Sequence, residues 1–259
     1  MSTSDGDPPP DTAPPQSSPN PRPGSPPARV WALTLAAGLA AGFVAWLVVE
    51  VFHDRLQPAL LNTGGMPTPE QANSAAKGRA AALTLETSLA FGALGAALGA
   101  ALGAAGGAVR RSTRSALTAA ISGAVLGAVA GVVTPQLVLP VHFRFDNPDA
   151  NDLPLAILIQ GGIAAAVGAA GGAALALGLG GQTPRLVLGG LAGGVVGALF
   201  YEVVGALAFP LDGTARPISA TAVTRLLARL AVALLASACA TGSLKWNLEN
   251  PDATDPTPR

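Results

Sequence analysis

The sequence predicts an all-α fold: a polytopic membrane helical bundle of about six transmembrane helices, arranged as three tandem helical hairpins and packed through glycine stripes. Three observations point there. Half of the 259 residues are hydrophobic while only 12% are charged, and the mean hydropathy is +0.46. Six runs are long enough to cross a hydrocarbon core of about 30 Å, which takes roughly 20 mainly apolar residues. Glycine, with 32 residues, recurs at every fourth position along several of those runs, the spacing that lets membrane helices approach closely.

The elements follow in order. Residues 1–28 contain ten prolines among Ser, Asp and Gly, too little apolar surface to offset ordering entropy, so they are expected to form a disordered cytoplasmic tail. Such a tail can present polyproline II to a partner groove, although its composition requires nothing beyond a solvated leader. The membrane domain covers 29–244, with spans near 30–52, 88–109, 116–138, 155–179, 186–209 and 223–243; residues 245–259 form a second disordered tail. The first run is too long for the core of a cleaved signal and follows an acidic, Pro-rich leader, so it reads as a retained anchor helix. The runs are apolar all round, without the continuous charged face that helices of a soluble bundle show to water.

The connections are polar. Between the first two spans, Asn62, Gly64, Gly65 and Pro67 break any helix, and 70–85 is expected as a separate short helix at the surface. Arg110, Arg111 and Arg114 form a tight basic turn, 142–154 an acidic loop, and 180–185 and 210–217 short turns. Basic residues set orientation. Arg22, Arg29, Arg110, Arg111, Arg114, Arg185 and Lys245 lie on the amino-terminal side, against Arg55, Lys77, Arg79, Arg144 and Arg216 opposite. That bias places both termini in the cytoplasm, with the protein in the cell (inner) membrane.

An internal repeat organises the spans. Gly42, Glu50 and Pro58 share their spacing with Gly194, Glu202 and Pro210, and with Ala124, Val132 and Pro140. Each odd span is followed by an even one, and the odd spans all run the same way, which describes parallel rather than inverted repeats. Helix packing is expected from Gly95, Gly99, Gly103 and Gly107 in the second span, Gly123, Gly127 and Gly131 in the third, and Gly189, Gly193 and Gly197 in the fifth. Gly168 and Gly172 in the fourth and Gly38 and Gly42 in the first add to it. Whether these stripes face one another within one chain, or meet a second copy or other membrane proteins, the spacing leaves open.

Ionisable groups at membrane depth cost about 2.5 kcal/mol or more each, which makes them the candidate functional residues. Glu202 in the fifth span and Arg229 in the sixth lie at similar depth on helices joined by a short turn, so an ion pair between them is expected. It serves as a structural strut or as a transport site. Arg225, one turn nearer the surface, is expected to snorkel to the headgroups. Glu50 and His53 lie three apart, the Glu-x-x-His spacing of carboxylate-bridged metal sites. With His142 at the same membrane face, and Asp54 beside them, they form the candidate metal site. Gln136 and Gln160 extend a shallow polar layer on that side, a candidate vestibule.

Much chemistry is excluded. The 15 basic and 15 acidic residues cancel, so no overall field draws nucleic acid. A single cysteine, Cys239, rules out a disulfide framework and a multi-cysteine zinc site; in its Ala-Cys-Ala setting it reads as a packing residue. The glycine runs lack the Lys-Ser/Thr of a phosphate-binding loop, and no Gly-x-Ser-x-Gly or His-Glu-x-x-His occurs. No cofactor and no catalytic set are expected.

In layout, with a long first external loop, Pro140 closing the third span and Arg229 in the last, the chain loosely resembles the cobalt-transporter membrane proteins, a similarity of architecture without a shared motif. The residues themselves describe a structural or accessory membrane component whose partners are the lipid bilayer and other membrane chains. The alternative is a small-solute, proton or metal-ion transporter entered through the polar outer layer.

Overall fold

A computed structural model describes residues 28–56, 68–145, 153–181, 183–209, 219 and 221–244. Both expected tails lie outside the described residues except Ala28, which opens the first helix; Pro58 and Pro210 of the repeat also lie outside them. The described residues form six helices: α1 (Ala28–Leu56), α2 (Pro69–Val109), α3 (Thr113–Phe145), α4 (Leu153–Leu179), α5 (Thr183–Ala208) and α6 (Ala222–Gly242). Each contains a stretch long and apolar enough to cross a membrane.

Two elements run further than expected. Residues 70–85 do not form a separate surface helix but the first turns of α2, which starts at a capping box in which the Thr68 hydroxyl accepts from the Gln71 amide. The Gln71 side chain in turn accepts from the Thr68 amide. Ala-rich sequence beyond that cap contains no proline to interrupt it, and at 1.5 Å per residue the helix is about 60 Å long, twice the hydrocarbon thickness. Helix α3 likewise does not end at Pro140: it continues through Pro135 and Pro140 to Phe145. Proline is tolerated there because neighbouring helices and local adjustment can satisfy the carbonyls it frees.

Helix α2 packs on α1, α3 and α4; α4 packs on α5, α5 on α6, and α6 returns to α1. These five helices close a ring of neighbours, and α3 lies against α2 and α4. Leu94, Leu98 and Leu102 of α2, and Ile163, Val167 and Leu175 of α4, are buried between them. Outward, α3 shows Leu117, Ile121, Val125, Val129, Val133, Leu137 and Val141 at every fourth position, all exposed, a continuous surface for lipid tails.

The opposite stripe of α3 makes the tightest crossing. A Cβ on Gly95 would collide with the backbone of Gly127, one on Gly99 with Gly123, one on Gly103 with Ala119 and one on Gly107 with Ala116. This antiparallel register explains the spacing in physical terms. Lipid tails are as apolar as leucine, so the helices gain by dispersion contacts at close range, which only side chains no larger than hydrogen allow. The same arrangement joins α4 to α5, where Gly168 meets Gly190 and Gly172 meets Leu186. Gly193 and Gly197 set α5 against Leu235, Ala236 and Val232 of α6, and Gly38 and Gly42 set α1 against Ser237 and Arg229. These glycine stripes thus face one another inside the chain.

The most extensive contacts, α2 with α3 and α4 with α5, fall between the expected hairpins rather than within them. Both short turns on the side of Ala28 use left-handed residues, Arg111 (φ 55°) after α2 and Gly180 (φ 74°) after α4. A Cβ on Gly180 would run into the Arg110 guanidinium. That guanidinium therefore lies against the carboxyl end of α4, where a cation is favoured by the helix dipole.

Candidate functional site

The end of the bundle where α1 and α5 finish and α6 begins, here called the distal end, holds most of the buried polar groups. Helix α6 is capped by Thr221, whose hydroxyl accepts from the Thr224 amide at 3.3 Å. The Trp46 indole of α1 donates to the Ala222 carbonyl at 3.1 Å and ties the two helices together. One turn in, Arg225 grips Glu50 of α1 with a fork: Nη2 donates to Oε1 at 2.8 Å and Nε to Oε2 at 3.1 Å. Its Nη1 donates to the Ser219 carbonyl at 3.2 Å. The Arg225 side chain is 6% exposed, so it does not snorkel as expected; it has a carboxylate to meet inside.

The expected Glu202–Arg229 pair does not form. Arg229 is buried, and its guanidinium lies over the Phe91 ring of α2, 4.7 Å from the centroid. Glu202 is 4% exposed, and its Oε1 has no hydrogen-bond partner. The cause is the rotation of α6. It meets α5 through Val232, Leu235 and Ala236, and α1 through Leu230, Ala233 and Ser237. The arginine stripe lies between those faces, toward Glu50 and Phe91. The repeat places Glu50 and Glu202 at equivalent positions on α1 and α5, the two main neighbours of α6, and among the described residues only Glu50 receives an arginine.

Around Arg229 several polar groups are buried. Tyr201 of α5 faces the Ser219 and Thr224 side chains, within electrostatic reach of Arg229 and Glu202, although its hydroxyl makes no hydrogen bond of good geometry. Thr87 stands one turn before Phe91 on the same face of α2; it is fully buried and its hydroxyl is also unpartnered. Ser88, beside it in sequence, is the fourth such residue among the described ones. Gln160 of α4 is buried, whereas Gln136 is exposed on α3 and takes no part in a shared vestibule. Buried polar atoms nearly always find a partner, so Thr87, Ser88, Tyr201 and Glu202 mark this end of the molecule.

Of the candidate metal site, only Glu50 has a described side chain. Glu50 is engaged by Arg225, while the side chains of His53, Asp54 and His142 lie outside the described residues. Among the described residues no three His, Cys, Asp or Glu side chains are grouped to hold a metal ion. On the other side of α2 from Phe91, a cavity of about 290 Å³ between α1 and α3 is lined by apolar residues such as Val48, Phe52, Leu89, Ala93 and Val132, and by Glu86.

The sequence reading missed Thr87, Ser88, Phe91 and Tyr201, which carry no charge, and the Glu50–Arg225 fork, which joins residues at opposite ends of the membrane domain. The repeat was the available signal, since it made Glu50 the counterpart of Glu202.

The chain matches no protein-family model, and no curated protein or solved structure is significantly similar to it. The likeness to cobalt transporters therefore rests on layout alone. Six apolar helices of spanning length define the class: a multi-pass membrane protein in contact with the lipid bilayer.

Proposed function

We propose that this protein is a structural or accessory membrane component, without enzymatic activity, that acts as a rigid helical body. The observation that carries the reading is the set of glycine crossings. Backbone lies on backbone from Gly95 to Gly107 in α2 and from Gly168 to Gly172 in α4, which leaves little room for a solute path through that half of the bundle. Three tandem helical hairpins, α1–α2, α3–α4 and α5–α6, account for the repeat and for the contact within each pair. By the bias of basic residues the body lies in the inner membrane with both ends in the cytoplasm.

A second reading, a transporter of protons, metal ions or small solutes, is favoured by one observation, the unpartnered buried atoms of Thr87, Ser88, Tyr201 and Glu202. Purified protein in liposomes separates the two. Under proton, metal-ion and small-solute gradients the first reading expects no flux above empty vesicles. Flux that disappears in Glu202→Gln overturns it in favour of the second. A carboxy-terminal reporter active only outside the cytoplasm would reverse the orientation.

A further inference from the structure

We propose that the end of the bundle on the side of Ala28 binds an anionic phospholipid, its phosphate held by the guanidinium groups of Arg111, Arg114 and Arg185. Charge is divided between the two ends. Glu50, Glu86 and Glu202 belong to the distal halves of α1, α2 and α5, and Glu70 to the first turn of α2, which begins at that same distal end. Among the described residues the opposite end has no acidic side chain, and Arg111, Arg114 and Arg185 are all exposed there.

Helix α4 brings these arginines to one place. It packs on α2, α3 and α5, and its carboxyl end meets the turn between α2 and α3 at two points. The Ser115 hydroxyl donates to the Gly178 carbonyl at 3.3 Å, and the Arg110 guanidinium lies against Gly180. Arg110 is thus engaged by the carboxyl end of α4. Arg111 on that turn, Arg114 in the first turn of α3 and Arg185 in the first turn of α5 keep their side chains outward. Depth selects the ligand. Arg114 stands one turn before Leu117, which opens the lipid-facing stripe of α3, and Arg185 one turn before Leu188; both leucines are exposed. At 1.5 Å per residue the arginines are about 5 Å from the hydrocarbon, the level of headgroup phosphates. On α1 the Trp31 ring lies beside Gly242 of α6 at the same end, and tryptophan concentrates at that interface. A guanidinium presents a planar fork that matches phosphate oxygens, and an anionic lipid has no headgroup cation to oppose the arginines.

The inference goes beyond the packing role and is read by binding rather than by flux, so either can fail alone. The full chain is placed in nanodiscs, and its thermal unfolding is followed as phosphatidylglycerol replaces phosphatidylcholine. A ligand bound by the folded state raises the melting temperature, so a saturable rise is expected. Each arginine near the membrane surface contributes about fivefold in affinity. The double variant Arg114→Gln, Arg185→Gln should therefore need about tenfold or more phosphatidylglycerol for the same rise. In phosphatidylcholine alone it should melt within a few degrees of wild type, since both side chains are exposed. If the double variant does not fold, Arg114→Gln decides alone, with a weakening of about fivefold. Arg29 is the control: it is exposed at the same end but on α1, which packs on α2 and α6, and Arg29→Gln should respond as wild type does. Equal weakening by Arg29→Gln and Arg114→Gln overturns the proposal in favour of a diffuse charge effect. So does the absence of a rise, the result expected if acidic tail residues such as Glu249 and Asp252 neutralise the face instead. The same rise from inorganic phosphate in phosphatidylcholine alone overturns the lipid as the ligand.

Discussion

The two ends of the helical body are built on opposite terms. At the end where α2 meets α3 and α4 meets α5, contact is backbone against backbone, side chains are reduced to hydrogen or methyl, and buried hydroxyls are satisfied. Thr241 donates to Thr34 across the α1–α6 interface at 2.8 Å, and Ser237 donates to its own helix at 2.7 Å. At the distal end the side chains are large and polar, and four of them keep unpartnered atoms under full burial. A membrane protein can be stabilised by shape or by polar pairing. This one uses shape in one half and leaves polar pairing incomplete in the other.

The comparison is open to direct attack. The largest effect is expected for Gly95→Leu, where backbone rather than a yielding side chain blocks the new atoms. Overpacking usually costs 1–3 kcal/mol, and here about 3 kcal/mol or more is expected, read as lost folded yield in detergent. Next comes Glu50→Gln, which removes the carboxylate charge that Arg225 grips. The loss should be about 2 kcal/mol, less than the full figure for a buried pair because the Glu50 side chain is 32% exposed. Glu202→Gln, in contrast, should change thermal stability by less than about 0.5 kcal/mol, the range of a substitution that breaks no existing contact. A loss as large as that of Glu50→Gln would restore Glu202 as a strut.

Two smaller tests sharpen the contrast. Thr241→Val removes the interhelical hydrogen bond to Thr34 and should cost about 0.6 kcal/mol, the average for such bonds in membranes. Gly161→Ala, at a helical glycine with open space where its Cβ would lie, should be neutral or stabilise by up to about 1 kcal/mol through helix propensity. If Gly161→Ala proves as damaging as Gly95→Leu, the stripe has no special standing and close packing is not what the glycines provide.

The helices themselves were legible because their signal is one-dimensional. Length and hydropathy along the chain suffice to mark α4, α5 and α6, and glycine at every fourth position marks the face that packs. Errors occurred where local breakers were given too much weight, at Pro140 and at the start of α2. In the candidate site, depth was legible and direction was not. Glu202 and Arg229 were read as buried, and they are; their pairing was inferred from adjacency of α5 and α6, and adjacency says nothing about which way each helix is turned.

From sequence alone come the class of the protein, six apolar helices of spanning length, and the glycine faces through which they meet, because each depends on periodicity within a single element. The partners of those faces and the destinations of the charges belong to the tertiary structure. Glu50 and Arg225 are separated by most of the chain and meet because α6 closes against α1. Arg229 rests on Phe91 because the same helix is held by α5 on one side and α1 on the other. Rotation of a helix about its axis is set by all its neighbours at once, and no local pattern encodes it.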